Sequence, residues 1–222
     1  MVLGWRPGFA SCAEEGHGRT PLEFGRNFLS FGSAWSQGFL EGGMVGHLAV
    51  YLLFLGMSED AASWAVAGIM IGVIVFQVPV AWLADRCGRT RALLGCYAAT
   101  ALALAVMPFC GPSAALVAAL LVAGACSTSF YPLGMTLLGE RVPSQAVARG
   151  NARFLMFNCL GSLVGPAVAG LAMDLFGKRA LFVSAEGAVL LVLAVWGTQL
   201  YRQRRQQTVG DESVSAQPRR AA

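Results

Sequence analysis

The chain has 222 residues, 56% of them hydrophobic and 13% charged. Too few solvating side chains remain for a water-soluble domain of this length, and the composition points to one membrane domain. The formal net charge of +4 comes from arginines that flank apolar runs. They lack the aromatic interleaving of a nucleic-acid surface, so nucleic acid is excluded as a partner and anionic lipid headgroups are the natural counterions.

Residues 1–26, rich in Gly, Arg and Glu, show no helical period and read as a cytoplasmic leader or linker. They hold no apolar run of about 7–15 residues before a small-residue cleavage site, the mark of a secretory signal. A bilayer core takes roughly 20 apolar residues per crossing, and by that measure hydropathy predicts six helices, over 27–56, 61–84, 92–109, 113–138, 148–175 and 180–201.

The first carries Ser33, Gln37 and Glu41 at four-residue spacing and so on one face. An ionisable group within a span is costly to bury and is a functional candidate by default. At ~1.5 Å per residue Glu41 lies ~20 Å along the helix, near mid-depth. With Gln37 it is expected to wall a solute and proton cavity. The alternative is a glutamate bonded into a helix contact, since Gly38, Gly42 and Gly46 form a ridge that lets backbones approach. His47, about 120° round the helix from Glu41, reads as a satisfied core or interfacial histidine.

Ser58-Glu59-Asp60 reads as an outer turn, with Ser58 capping the second helix. That helix ends on Asp85-Arg86-Cys87-Gly88-Arg89-Thr90-Arg91, and the third ends at the turn pair Gly111-Pro112. The fourth contains Pro132, which removes a backbone bond and predicts a kink just after Ser127, Ser129 and Tyr131. The fifth carries Asn158 midway and then Gly161, Gly165, Pro166 and Gly170, read as a helix-packing motif. Hydroxyls and amides beside a proline bend can bind a polar solute or hold helices together; Tyr131 and Asn158 therefore join Gln37 and Glu41 as cavity candidates. In the sixth helix Glu186 is placed either to pair with Arg179 or to face a cavity. Residues 202–222, charged and Gln-rich, predict a disordered cytoplasmic tail.

Six spans put every basic residue except Lys178 and Arg179 on one side, out of 16 in all. That asymmetry places both termini in the cytoplasm. The domain organisation is then a leader over 1–26, a six-helix membrane domain over 27–201 and a tail over 202–222. Arginine predominates and Lys178 is the one lysine, a bias that suits a high-GC bacterial genome and hence a bacterial inner membrane. The six cysteines include no C-x-x-C pair, and His17 and His47 are too far apart in sequence for a two-histidine metal spacing. No metal and no cofactor is predicted. Nucleophile turns, zinc-protease pairs and phosphate-binding loops are all missing from the sequence, so the chain is not read as an enzyme and ATP is not its direct energy source.

The stretch Ala81-Trp82-Leu83-Ala84-Asp85-Arg86-Cys87-Gly88-Arg89-Thr90-Arg91 resembles the cytoplasmic signature loop of the major facilitator superfamily, which lies between helices two and three of each six-helix half. Ala81 stands where the pattern has glycine and Thr90 among its bases, a weakening that resembles the copy in C-terminal halves. The run from Gly161 to Gly170 is similar to the Gly-Pro motif on the fifth helix of some facilitator halves. The resemblance implies an all-α C-terminal half-bundle of a secondary transporter that moves a small solute by alternating access, with coupling to protons as one option. It implies a partner as well, either an N-terminal six-helix half or a second copy of this chain. Asp85, Arg86, Gly88 and Arg89 become the cytoplasmic gate, because a carboxylate at a helix end can accept bonds from the exposed amides of another helix's N-terminus. The reading from another class is a truncated or repurposed six-helix membrane protein that scaffolds a partner without transport.

Overall fold

Two prolines, a few hydroxyls and a ridge of glycines decide where the rods of this molecule break and how they touch. The computed structural model describes residues 24–215 apart from Pro112, and they are helix and turn without any strand. The first rod joins α1 (Phe24–Leu40), a π turn (Glu41–Val45) and α2 (Gly46–Phe54), with helical backbone at both junctions. Then come α3 (Glu59–Cys87), α4 (Arg89–Val106) with a 3-10 extension (Met107–Phe109), α5 (Ala114–Thr128), α6 (Phe130–Arg141), α7 (Val147–Phe176) and α8 (Ala180–Ser215).

Five of these rods are long and apolar enough to cross a membrane: α3, α4 with its extension, α5 with α6, α7, and α8. The sequence predicts six. The first rod, whose lower part buries Asn27, Ser30, Ser33, Ser36 and Gln37, is not among the five by apolarity.

Local chemistry sets the ends. Ser58 is extended and its Oγ accepts from the Ala61 N–H at 3.3 Å, with Glu59 and Asp60 in the first turn of α3 favouring the positive end of its dipole. A single residue, Gly88, links α3 to α4 at φ +89°, a conformation that suits glycine. The fourth predicted helix is interrupted at Ser129, between α5 and α6, three residues before Pro132. Proline cannot donate to the carbonyl four residues back, which is that of Thr128. Gln77 of α3 supplies the missing donor, its Nε2 reaching the Thr128 carbonyl at 3.3 Å. At the other end of the chain α8 continues to Ser215, through residues for which composition predicts a disordered tail. Arginine and glutamine are good helix formers, and a helix already nucleated in the span propagates cheaply. The leader residues 1–23 and the tail residues 216–222 lie outside the described residues.

The tightest packing is between α1 and α7. A Cβ on Gly38 would meet the Asn158 carbonyl, one on Gly161 the Trp35 carbonyl, and one on Gly165 the Phe39 carbonyl. A Cβ on Gly42 would lie 2.7 Å from the Ser162 carbonyl oxygen, a carbonyl freed by Pro166, and one on Gly43 would lie 2.9 Å from that of Gly165. Small residues thus bring two backbones together where lipid supplies no hydrophobic drive. Gly46 meets nothing within 4 Å, because the π turn shifts the ridge from the four-residue repeat to Gly43. Elsewhere α4 anchors the bundle: Tyr97 is fully buried, stacks on Phe130 at 4.1 Å and donates to Ser36 Oγ at 3.0 Å. By contrast, only 11% of the most apolar stretch of α3 is buried, against 44% for α4. One broad side of α3 is therefore bare apolar surface.

Candidate functional site

The π turn opens a pocket. Its wider turn begins at Glu41 in the middle of the first rod, and such turns inside α-helices mark functional sites often. Around it α1, α3 and α5 enclose about 120 Å³, with Gln37, Glu41, Ser127 and Thr128 as its polar groups and Met70, Leu120 and Val73 among its apolar walls. Gln37 is buried and its Oε1 has no hydrogen-bond partner among the described residues, while Glu41 is exposed at the pocket's edge. A buried acceptor without a donor is costly, and a bound solute or water with a free N–H or O–H would satisfy it.

Of the four cavity candidates, Gln37 and Glu41 come together here and the other two do not. Asn158 Nδ2 donates to the Ala34 carbonyl at 3.1 Å, within the α1–α7 contact. Tyr131 packs edge-on against Phe154 at 5.0 Å, on the α6–α7 side. Ser33 also leaves the expected stripe, its Oγ donating to the Ser30 carbonyl at 2.7 Å beside Gly134. Thr128 and Gln77 are polar groups near the pocket that sequence reasoning passed over. An isolated amide in the apolar run of α3, opposite a carbonyl freed by proline, was the available signal.

His47 Nδ1 donates to the Gly43 carbonyl at 2.8 Å and its other nitrogen lies against Gly170 of α7. This is the satisfied interfacial histidine expected from sequence. Glu186 forms no ion pair with Arg179 among the described residues; Lys178 instead lies 3.9 Å from Asp174.

The second cluster sits at the arginine-bearing end. Asp85, on the last turn of α3, is exposed at the mouth of an open groove of about 600 Å³ between α3 and α6, lined by Val78, Ala81, Pro132 and Thr136 and by Arg89. Arg89 Nη1 binds Glu140 Oε1 at 2.6 Å, tying the start of α4 to the end of α6. Arg141 Nη2 donates to Thr90 Oγ1 at 3.4 Å. Thr90 therefore has a partner where the family pattern has a base. Arg86 lies over the ring of Trp82, 3.8 Å from its centroid, held along its own helix. Asp85 has no hydrogen-bonded or ionic partner among the described residues, which leaves its carboxylate available to a donor from outside this bundle. No group of three or more metal-binding side chains occurs among the described residues.

The family model described as Major Facilitator Superfamily matches residues 27–220. An uncharacterized MFS-type transporter of Yersinia enterocolitica is 30% identical over 158 residues, covering 71% of this chain and 40% of the relative. YfkF of Bacillus subtilis, likewise an uncharacterized MFS-type transporter, is 30% identical over 155 residues, covering 70% of this chain and 40% of its own length. The chain thus matches about two fifths of the length of these relatives. Among solved structures, the POT family transporter PepTSo superposes with a TM-score of 0.70 over 80% of this chain and 38% of its own, at 18% identity, a likeness of fold.

Proposed function

Since the chain belongs to the major facilitator superfamily and is a multi-pass membrane protein, we propose that it forms a six-helix half of a secondary transporter. The first rod is then a sixth crossing despite its lower apolarity, and both termini face the cytoplasm of a bacterial inner membrane. The half moves a small polar solute by alternating access, and Glu41 couples that movement to protons.

The observation that carries this reading is the pocket at the π turn. There an ionisable group, an unsatisfied buried amide oxygen and two hydroxyls meet at mid-rod, where the first rod faces α3 and α5. Ionisable groups at that depth are costly and mark ion and solute pathways. One six-helix bundle supplies only one wall of a pathway. The bare faces of α3 and α7, whose most apolar stretches are only 11% and 22% buried, suit burial against another half or a second copy. In this reading Asp85 caps the N-terminus of a helix from that other half when the cytoplasmic side is closed, and the Arg89–Glu140 pair holds the loop in place.

The experiment is reconstitution of the chain in liposomes with a pH-sensitive dye, beside Glu41→Gln, with the assembly size measured in parallel. The expected result is an assembly of two six-helix units, with proton movement that Glu41→Gln abolishes while the assembly is unchanged. A monomer without flux sinks the transport reading for this chain and favours the scaffold.

A further inference from the structure

A separate groove, on the side of the bundle away from the π-turn pocket, has an aromatic wall and a basic mouth. It encloses about 280 Å³ between α1, α7 and α8, and its surface is almost wholly apolar. Gly32 forms the floor, where its missing side chain lets Val192 of α8 approach. Phe28, Phe31 and Trp35 of α1 stand on one side, Phe157 of α7 and Val195 of α8 on the others. Phe31 and Phe157 pack with centroids 5.4 Å apart, so the aromatic wall is a fixed feature.

Helical spacing leads from this groove to cations. Arg153 is one turn before Phe157 on α7, and Arg202 is seven residues after Val195 on α8, each on the groove-facing side of its helix. That puts Arg202 ~10 Å along the axis from the groove, at the membrane surface. Both are exposed and neither forms an ion pair among the described residues. Between them and the groove in sequence lies Gln199, one turn beyond Val195, whose Oε1 is buried without a partner among the described residues.

We infer that this groove binds an anionic glycerophospholipid of the arginine-bearing leaflet. One acyl chain lies between Phe157 and Val195 on the aromatic wall, the phosphate sits between Arg153 and Arg202, and a headgroup hydroxyl donates to Gln199. Charge complementarity selects the lipid: a zwitterionic headgroup brings its own cation to two arginines, whereas phosphatidylglycerol brings net negative charge and hydroxyl donors.

The test is native mass spectrometry of the full chain in detergent, titrated with dioleoyl phosphatidylglycerol or dioleoyl phosphatidylcholine. Wild type is expected to retain phosphatidylglycerol in preference, at one molecule per chain. Arg153→Gln with Arg202→Gln should weaken that binding by roughly 30-fold, from about 1 kcal/mol per arginine at a lipid surface. Val195→Trp, which fills the groove and leaves charge unchanged, should weaken it as well. Arg91→Gln removes a cation from α4, which does not line the groove, and should leave binding near wild type. Thermal melting of each variant separates lost binding from lost folding. Equal retention of the two lipids overturns the proposal, as does a loss in Arg91→Gln matching that of the groove arginines, or binding indifferent to Val195→Trp. Protection of the groove by a second copy of the chain, seen as dimers that Val195→Trp disrupts, also overturns it.

Discussion

The α1–α7 contact and the α3–α6 groove are built by opposite means. In the first, glycines bring carbonyls of one helix against the Cα atoms of the other, and Asn158 adds a cross-helix bond. In the second, a proline break and an apolar α3 leave about 600 Å³ open, bridged near its ends by Gln77 to a carbonyl and by Arg89 to Glu140. The difference separates a part of the molecule that can only hold from a part that can yield. Backbone contact has no rotamers with which to adapt, whereas polar bridges at a groove's rim can be made and broken at modest cost.

Substitutions can break or sharpen that contrast. The largest effect belongs to Gly38→Ala, which sets a Cβ on the Asn158 carbonyl and should cost about 3 kcal/mol in detergent thermal melts. Gly68→Ala on α3, with nothing within 4 Å, should instead gain up to about 1 kcal/mol of helix propensity. Equal responses would dissolve the distinction. Gly88→Ala, at φ +89°, should cost about 1–2 kcal/mol by the same assay and loosen the α3–α4 link at the groove's mouth. Gln77→Leu removes the donor to Thr128 and should cost about 1 kcal/mol. The smallest effect is expected of Glu140→Gln: its pair with Arg89 is 35% and 53% exposed, so less than about 1 kcal/mol is at stake, and the difference from wild type should shrink further in high salt.

Much of this architecture is legible in the residues. Apolar length and arginine placement give the rods, Ser58 gives the start of α3, and the Gly161–Gly165 spacing gives a close helix contact that the structure forms with α1. Pro132 gives a break, although the break falls at Ser129, because a proline acts on the carbonyl four residues before it. The π turn is not legible, since Glu41-Gly42-Gly43-Met44-Val45 fits an α-helix as well by propensity and hydropathy. Its presence moves the glycine ridge and so defeats the simple four-residue repeat. The candidate site is half legible for a related reason. Gln37 and Glu41 share one local face, whereas the directions of Tyr131 and Asn158 depend on where α6 and α7 meet α1, which no spacing within one helix can fix.

The π turn also sets the phase of the first rod. It seats one residue more than an α-helical turn would, so the faces of α1 and α2 are offset from a continuous helix by that residue's share of rotation. Straightening that turn into regular α-helix with every residue kept would swing everything on one side of it by about 100° relative to the other. Gln37 would then point away from its pocket, or His47 away from Gly170, with no change in composition or hydropathy. The rod behaves as a shaft keyed at one point, and excising Gly42 or Gly43 would give a plain α-helix of the same phase, with α1 and α2 still facing their present neighbours.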